Sequence, residues 1–399
     1  MAIRHYHPFK FIWTLFALTF NICRLPFWTI YFMPSFLRQN SSWSYKQAIM
    51  VRILRAFLNN VSQVEMKTPL SLKPGKEGMS ILTFHKRILC DIVSSHFAML
   101  TEKPPASNFA VMKPAATSKY IGVAACDAEI KPTEIGGTWY PSPPSSSSQT
   151  GDVILHFHGG AYVIGDGRYA DAGFAAKTLL GNTSATHVFC PQYRLASNPN
   201  CRFPAQLQDA ITSFLYLTET LSIPTEKIII SGDSAGANLC LSLLRYIVDN
   251  KEASIPNLVC AFLWSPWVDP AASLLPGYFD AAPNSRTDYV TNGFGAWGAK
   301  CLSPSKESGL SLGHENINFK GTAFYTPTPL FFSAGESEAL YHDILIVEGQ
   351  FRAVEGNKTE MQVERNAVHD IILVGDKVGF EAEARLGVSR AWKFWEGCR

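Results

Sequence analysis

The chain has almost no surplus of charge. Its 35 Lys and Arg face 33 Asp and Glu, a formal net charge of +2 at pH 7 over 399 residues, and no basic run exceeds a pair. Nucleic-acid binding needs a concentrated basic footprint, so nucleic acid is excluded as the expected partner, and a small molecule or a membrane takes its place. The nine cysteines include no Cys-x-x-Cys and, being odd in number, cannot all pair within one molecule. Free thiols are expected, and neither a metal nor a cofactor is implied. A small-residue cleavage site is also missing after the apolar stretch "FIWTLFALTF" at residues 11–20, which runs instead into "NICRLPFW". The segment is therefore expected to stay on the chain. Counted to Met33 it has about the length that spans a bilayer, roughly 20 residues, with Arg24 and Pro26 inside it.

What is present is apolar and aromatic: 47% hydrophobic residues, 12% Phe, Trp and Tyr. Residues 1–33 read as a hydrophobic anchor or interfacial segment. Residues 34–130 read as a helical cap, in which Met50, Ile53, Leu54, Phe57, Leu58 and Val61 recur on one helical face with Lys46, Arg52 and Arg55 elsewhere. That pattern fits a lid helix and a basic helix on a membrane surface equally. Membrane association follows as the expectation, with the endoplasmic reticulum as a candidate compartment. Sequons at Asn40, Asn60, Asn182 and Asn357 permit glycosylation if the domain faces a lumen.

Residues 131–399 read as one catalytic α/β domain, extended over 131–140 and then crossing the exposed connector "PSPPSSSSQTG" at 141–151, after which strands and helices alternate. Strand-like runs at 153–157, 187–190, 227–231, 258–264 and 329–333 alternate with helical patterns at 205–221, 235–248, 338–350 and 378–395. This alternation predicts a doubly wound, mostly parallel sheet. Residues 269–326 show weak periodicity and are expected to form loops and short helices beside the site.

"VILHFHGGAY" (153–162) is a strand that stops on His158, Gly159 and Gly160. In open α/β sheets ligands bind beyond that end of the strand. "KIIISGDSAGANL" explains the stop: Gly232, Asp233, Ser234, Ala235 and Gly236 match G-x-S-x-G between a predicted strand and a predicted helix, the context of a nucleophile elbow. A serine hydroxyl needs a base, and the base an orienting acid. Three histidines follow Ser234. His314 lies in the weakly periodic insertion and His342 inside a predicted helix, which leaves His369, after an extended segment, as the base by topology. Glu336, Glu338 and Asp343 follow the strand at 329–333; Asp343 would lie more than a turn into the next helix, and position does not separate Glu336 from Glu338. The oxyanion of an acyl intermediate would be met by the N–H groups of Gly159, Gly160 and Ala235.

"HFHGGAY", "YRLASNPNCRFPAQLQDA", "GDSAGANL", "GESEAL" and "HDIIL" together resemble, in order and approximate spacing, the hormone-sensitive-lipase-like branch of the α/β-hydrolases. The N-terminal apolar segment and "SPWVD" are similar, more narrowly, to fungal members such as steryl acetyl hydrolases and hydrolases of secondary-metabolite gene clusters. The resemblance implies an esterase with Ser234 as nucleophile and His369 as base. It places the acid motif D-x-L on Glu338-Ala339-Leu340, which favours Glu338, with glutamate in place of the usual aspartate. Ala161 stands where many members carry a third glycine. Two other functions share these motifs: a biosynthetic acyl-transfer or cyclisation enzyme, and a ligand receptor that keeps the serine elbow but lacks the histidine.

Overall fold

Runs rich in β-branched and aromatic residues pack well on a pleated surface. In a computed structural model of the chain, which describes residues 3–6, 8–74, 105–146 and 150–399, such runs form one eight-stranded sheet. The strands are β1 (Phe109–Met112), β2 (Ile135–Tyr140), β3 (Val153–Phe157), β4 (His187–Gln192), β5 (Ile228–Asp233), β6 (Cys260–Trp264), β7 (Leu330–Gly335) and β8 (Thr359–Glu364). Their spatial order is β1-β2-β4-β3-β5-β6-β7-β8. β2 pairs antiparallel with β1 and β4, and all other pairings are parallel.

Alternation along each strand divides the core between the two faces. Val153, Leu155 and Phe157 of β3 join Ile228 and Ile230 of β5 in one apolar cluster, while Ile154 and Ile229 point into the other. In chain order the helices of eight or more residues among the described residues are α1 (Phe9–Tyr31), α2 (Tyr45–Val64), α3 (Tyr169–Gly181), α4 (Ala205–Leu215), α5 (Ala235–Asp249), α6 (Asn292–Leu302), α7 (Tyr341–Ala353), α8 (Ile371–Val378) and α9 (Glu381–Cys398). Ala172, Ala176 and Leu179 of α3 and Val388, Ala391 and Trp392 of α9 cover the second cluster. α4, α5 and α7 pack on the first.

From β3 the chain crosses to β4 on one side, and from β5 to β6 on the other. The loops after β3 and β5 therefore flank a topological switch point, where two adjacent strand ends open a crevice.

Some expected boundaries move. β1 joins the sheet ahead of Lys131, where the catalytic domain was expected to begin; four apolar residues are too few to establish a period. Part of the expected cap, 75–104, and part of the connector, 147–149, lie outside the described residues. The helix expected at 378–395 is α9, which starts later, at Glu381, because the chain turns at Gly379, whose φ of +83° suits glycine, and it is preceded by the separate α8 ending at Val378. α2 begins at Ser44 with a capping box, its side chain accepting from Gln47 N–H while the Gln47 side chain accepts from Ser44 N–H.

α1 lies along α2. Ala17, Trp28 and the following Phe32 are buried, whereas Phe9, Ile12, Phe16, Phe20, Cys23, Phe27 and Ile30 are exposed. Their spacing of three or four residues makes an apolar stripe on the outward face.

Candidate functional site

The turn after β5 is strained in the way a nucleophile elbow requires. Ser234 has φ +51° and ψ −113°, a conformation costly for a residue with a side chain. It is held by its N–H on Trp264 O (2.8 Å) and by its carbonyl, which accepts from Asn238 and Trp267. A Cβ on Gly232 would stand 2.4 Å from the Gly236 backbone, and one on Gly236 would stand 1.9 Å from Phe157 O. Only glycine lets β5, α5 and the end of β3 approach this closely.

Three distant segments meet at this serine. His369, in the loop between β8 and α8, places Nε2 2.9 Å from Ser234 Oγ and Nδ1 3.2 Å from Glu338 Oε2. Glu338 is fully buried and His369 nearly so. Burial is the largest influence on His369 and opposes its charge. The hydrogen bond and charge of Glu338, with the charges of Asp288 and Asp233, outweigh burial and lift its pKa above the ordinary 6.5. Burial also raises the pKa of Glu338, which the His369 hydrogen bond holds back. An imidazole so placed can take the serine's proton while the carboxylate fixes its tautomer.

The other candidates stand apart. Glu336 is exposed and accepts the Asn366 N–H. Asp343 binds the Tyr278 hydroxyl and the Lys320 ammonium, 2.6 Å away. His314 accepts the Asn316 N–H in a half-buried loop, and His342 is exposed.

The loop after β3 corrects one expectation. The Gly159 N–H is not free: it donates to Asp233 Oδ2 at 2.6 Å. A Cβ on Gly159 would lie 2.3 Å from that same oxygen, so glycine is needed here for packing against the elbow. The next residues turn sharply, with φ of +106° at Gly160, +51° at Ala161 and +62° at Tyr162. Among the described residues, the backbone N–H groups of Gly160, Ala161 and Ala235 donate to no protein acceptor. In place of Gly159, the loop thus offers the N–H groups of Gly160 and Ala161, and among the described residues that of Tyr162 beside them has no protein acceptor either. His158, driven by burial to a pKa of about 4, is neutral; its ring stacks 4.3 Å from Tyr193 and steadies the loop.

Two buried carboxyl groups escaped detection in the sequence. Asp288, in the weakly periodic insertion, accepts the N–H groups of Tyr289 (2.8 Å), Ala339 (2.8 Å) and His369 (3.3 Å), tying the acid's loop to the base's. These bonds to Ala339 and His369 span 51 and 81 residues, and no local pattern reports them. Asp370 lies against Asp233 beneath the elbow. Burial, and then the charge of Asp233, push its pKa far up, which favours the protonated form and a hydrogen bond to Asp233. For Asp233 itself, burial is outweighed by the hydrogen bond and charge of His156 and by the Asp370 hydrogen bond, and its pKa is lowered. His156 Nε2 sits 3.1 Å from Asp233 Oδ1.

The chain matches the model of the alpha/beta hydrolase fold over residues 154–373. Among curated proteins it is similar to an acetyl-hydrolase of Streptomyces hygroscopicus, 31% identical over 121 residues, covering 30% of this chain and 38% of that protein. It is also similar to an ethyl acetate hydrolase of Pseudomonas putida, 30% identical over 122 residues, covering 30% and 37%. The chain therefore spans less than two fifths of the length of these relatives. Among solved structures, the esterase from the archaeon Pyrobaculum calidifontis superposes with a TM-score of 0.57 at 18% identity, covering 86% of this chain and 97% of that one. EstE5, from a crystal soaked with p-nitrophenyl butyrate, gives 0.56 at 19%, covering 89% and 100%. At such identities the likeness is one of fold.

Proposed function

The chain belongs to the alpha/beta hydrolase fold family, and from that premise we propose that it is a serine ester hydrolase acting through an acyl-enzyme on a lipophilic ester. The observation that carries this reading is the continuous hydrogen-bond chain Glu338–His369–Ser234, 3.2 and 2.9 Å, at an elbow beside unengaged backbone N–H groups.

In the first half-reaction Ser234 Oγ attacks the ester carbonyl carbon as its proton passes to His369 Nε2. The carbonyl oxygen becomes an oxyanion that accepts from Gly160, Ala161 and Ala235. As the tetrahedral intermediate collapses, the bond to the alcohol oxygen breaks and His369 returns the proton to that oxygen. Water repeats the sequence on the acyl-serine, releasing the acid. Glu338 holds the imidazole with Nδ1 protonated throughout.

A short acyl group is supported by the names of the relatives, an acetyl-hydrolase and an ethyl acetate hydrolase. A lipophilic alcohol portion, sterol-like or a fungal secondary metabolite, is supported by the outward apolar stripe of α1, which suits a helix lying in the membrane interface. The acyl-enzyme also serves a transferase or cyclase, since another nucleophile can replace water. A receptor role is disfavoured by the complete base and acid.

The test is Ser234→Ala. Turnover of short-chain aryl esters should fall by about 10⁶, the scale of losing a nucleophile, with unchanged Tm. Wild-type protein that neither turns over such esters nor reacts with a fluorophosphonate would refute the hydrolase.

A further inference from the structure

Between α1 and α2 lies a groove of about 380 Å³ that the catalytic site does not use. Its walls carry Arg24 from α1 and Arg52 and Arg55 from α2, among Trp13, Phe20 and Trp28. Arg24 lies 5.1 Å from the Phe20 ring and 5.0 Å from Trp28, and Arg52 lies 5.1 Å from Trp28. Two guanidinium groups thus converge on one indole, and all three arginines are half-buried.

Their charges are poorly balanced. Arg55 donates to the Asp288 and Val290 carbonyls and stands 3.8 Å from Asp280, a carboxylate that is 65% exposed. Arg24 and Arg52 have no carboxylate partner among the described residues. Burial, followed by the charges of Arg24 and Arg55, lowers the pKa of Arg52. Like charges packed together in a half-buried groove are unfavourable unless an anion joins them.

The groove also opens onto the apolar stripe. Phe16 and Phe20 line it and at the same time belong to the exposed face of α1. With that face among acyl chains, the arginines would stand at headgroup level, the depth at which basic side chains on an interfacial helix meet phosphates. Arginine's planar fork suits paired phosphate oxygens, and aromatic faces orient it without competing for its donors.

We propose that this groove seats the phosphate of an anionic membrane lipid, with Arg24 and Arg52 as its principal ligands and Arg55 at the margin. The site rests on the interfacial reading of α1, and it would fix the depth and rotation of the enzyme on the bilayer.

Co-sedimentation of the full chain with vesicles of phosphatidylcholine, alone or doped with phosphatidic acid, tests it. Each basic side chain near an anionic surface is worth roughly fivefold in affinity. Arg24→Gln/Arg52→Gln should therefore weaken binding to doped vesicles about 25-fold, with neutral-vesicle binding and turnover of a water-soluble ester unchanged. Arg24→Lys/Arg52→Lys keeps the charge and loses the fork, and should recover only part of the difference; full recovery would mean diffuse attraction and overturn the seated phosphate. If glycerol 3-phosphate raises the Tm of the wild type but not of the Gln variant, and the wild type shows no preference for doped vesicles, the groove takes a soluble phosphate ester and the lipid is wrong. Wild type that binds both vesicles equally overturns the phosphate site alone. Wild type that binds neither overturns the interfacial reading of α1 with it.

Discussion

Replacing Glu338 by glutamine removes one charge and almost no volume beside a buried imidazole. Glu338 Oε2 lies 3.2 Å from His369 Nδ1, and both side chains are shielded from water. A unit charge at roughly 4 Å in a medium of effective dielectric about 20 stabilises the imidazolium by about 4 kcal/mol, close to three orders of magnitude in rate. The amide can also donate to Nδ1, which moves the proton to Nε2 and leaves no acceptor for Ser234. Wrong-tautomer variants of this kind lose about 10⁴ in kcat. The expected loss for Glu338→Gln is thus about 10³–10⁴, with little change in Tm. The pH profile supplies a second readout. His369 acts when neutral, and its pKa is raised, so wild-type kcat/KM should climb with pH through a midpoint above 6.5. Without Glu338, burial dominates, the pKa falls, and the acid limb of the residual activity shifts to lower pH. Glu336→Gln is the control, because Glu336 meets solvent and a backbone N–H only. Stopped assays of an aryl ester across the pH range check both. If Glu338→Gln stays within tenfold of wild type with an unmoved acid limb, or if Glu336→Gln is the crippled variant, the assignment fails.

Asp288→Asn keeps one acceptor oxygen and turns an amide donor toward a backbone N–H, so it should lower stability by about 1–3 kcal/mol, read from denaturant unfolding. It should also move the acid limb downward, because Asp288 contributes to the raised His369 pKa; a loss of Tm with an unmoved limb would make it purely structural. Deleting residues 1–33 should release the protein from membranes and spare turnover of a water-soluble ester, while reducing it on a lipophilic one. Some loss of Tm is expected, since Trp28 and Phe32 are buried in the core cluster. A truncated protein that is insoluble and inactive on both esters would make α1 a cap of the fold.

The nucleophile elbow was legible because its constraints are local. Gly232 and Gly236 answer clashes within five residues and with the neighbouring strand end, and the change from a strand run to a helical period brackets Ser234. The α/β alternation was legible for the same reason, since burial on both faces of a parallel sheet writes continuous apolar runs into the strands. His369 could be ranked first because the fold orders serine, acid and histidine along the chain.

What sequence left open depended on partners far along the chain. Glu336 and Glu338 are two residues apart after the same strand, and only the loop's path turns one outward to Asn366 and the other inward to His369. Whether Gly159 offers its N–H depends on Asp233, 74 residues away, which consumes that donor and leaves Gly160 and Ala161 free. Asp288 and Asp370 were silent because their partners come from other loops. The arginines of α2 fit a lid helix and a membrane-surface helix equally in sequence, and their grouping with Arg24 emerges only where α1 lies beside α2. Local sterics and periodicity are written residue by residue, whereas the occupancy of each donor, acceptor and charge is decided when distant segments converge and exclude water.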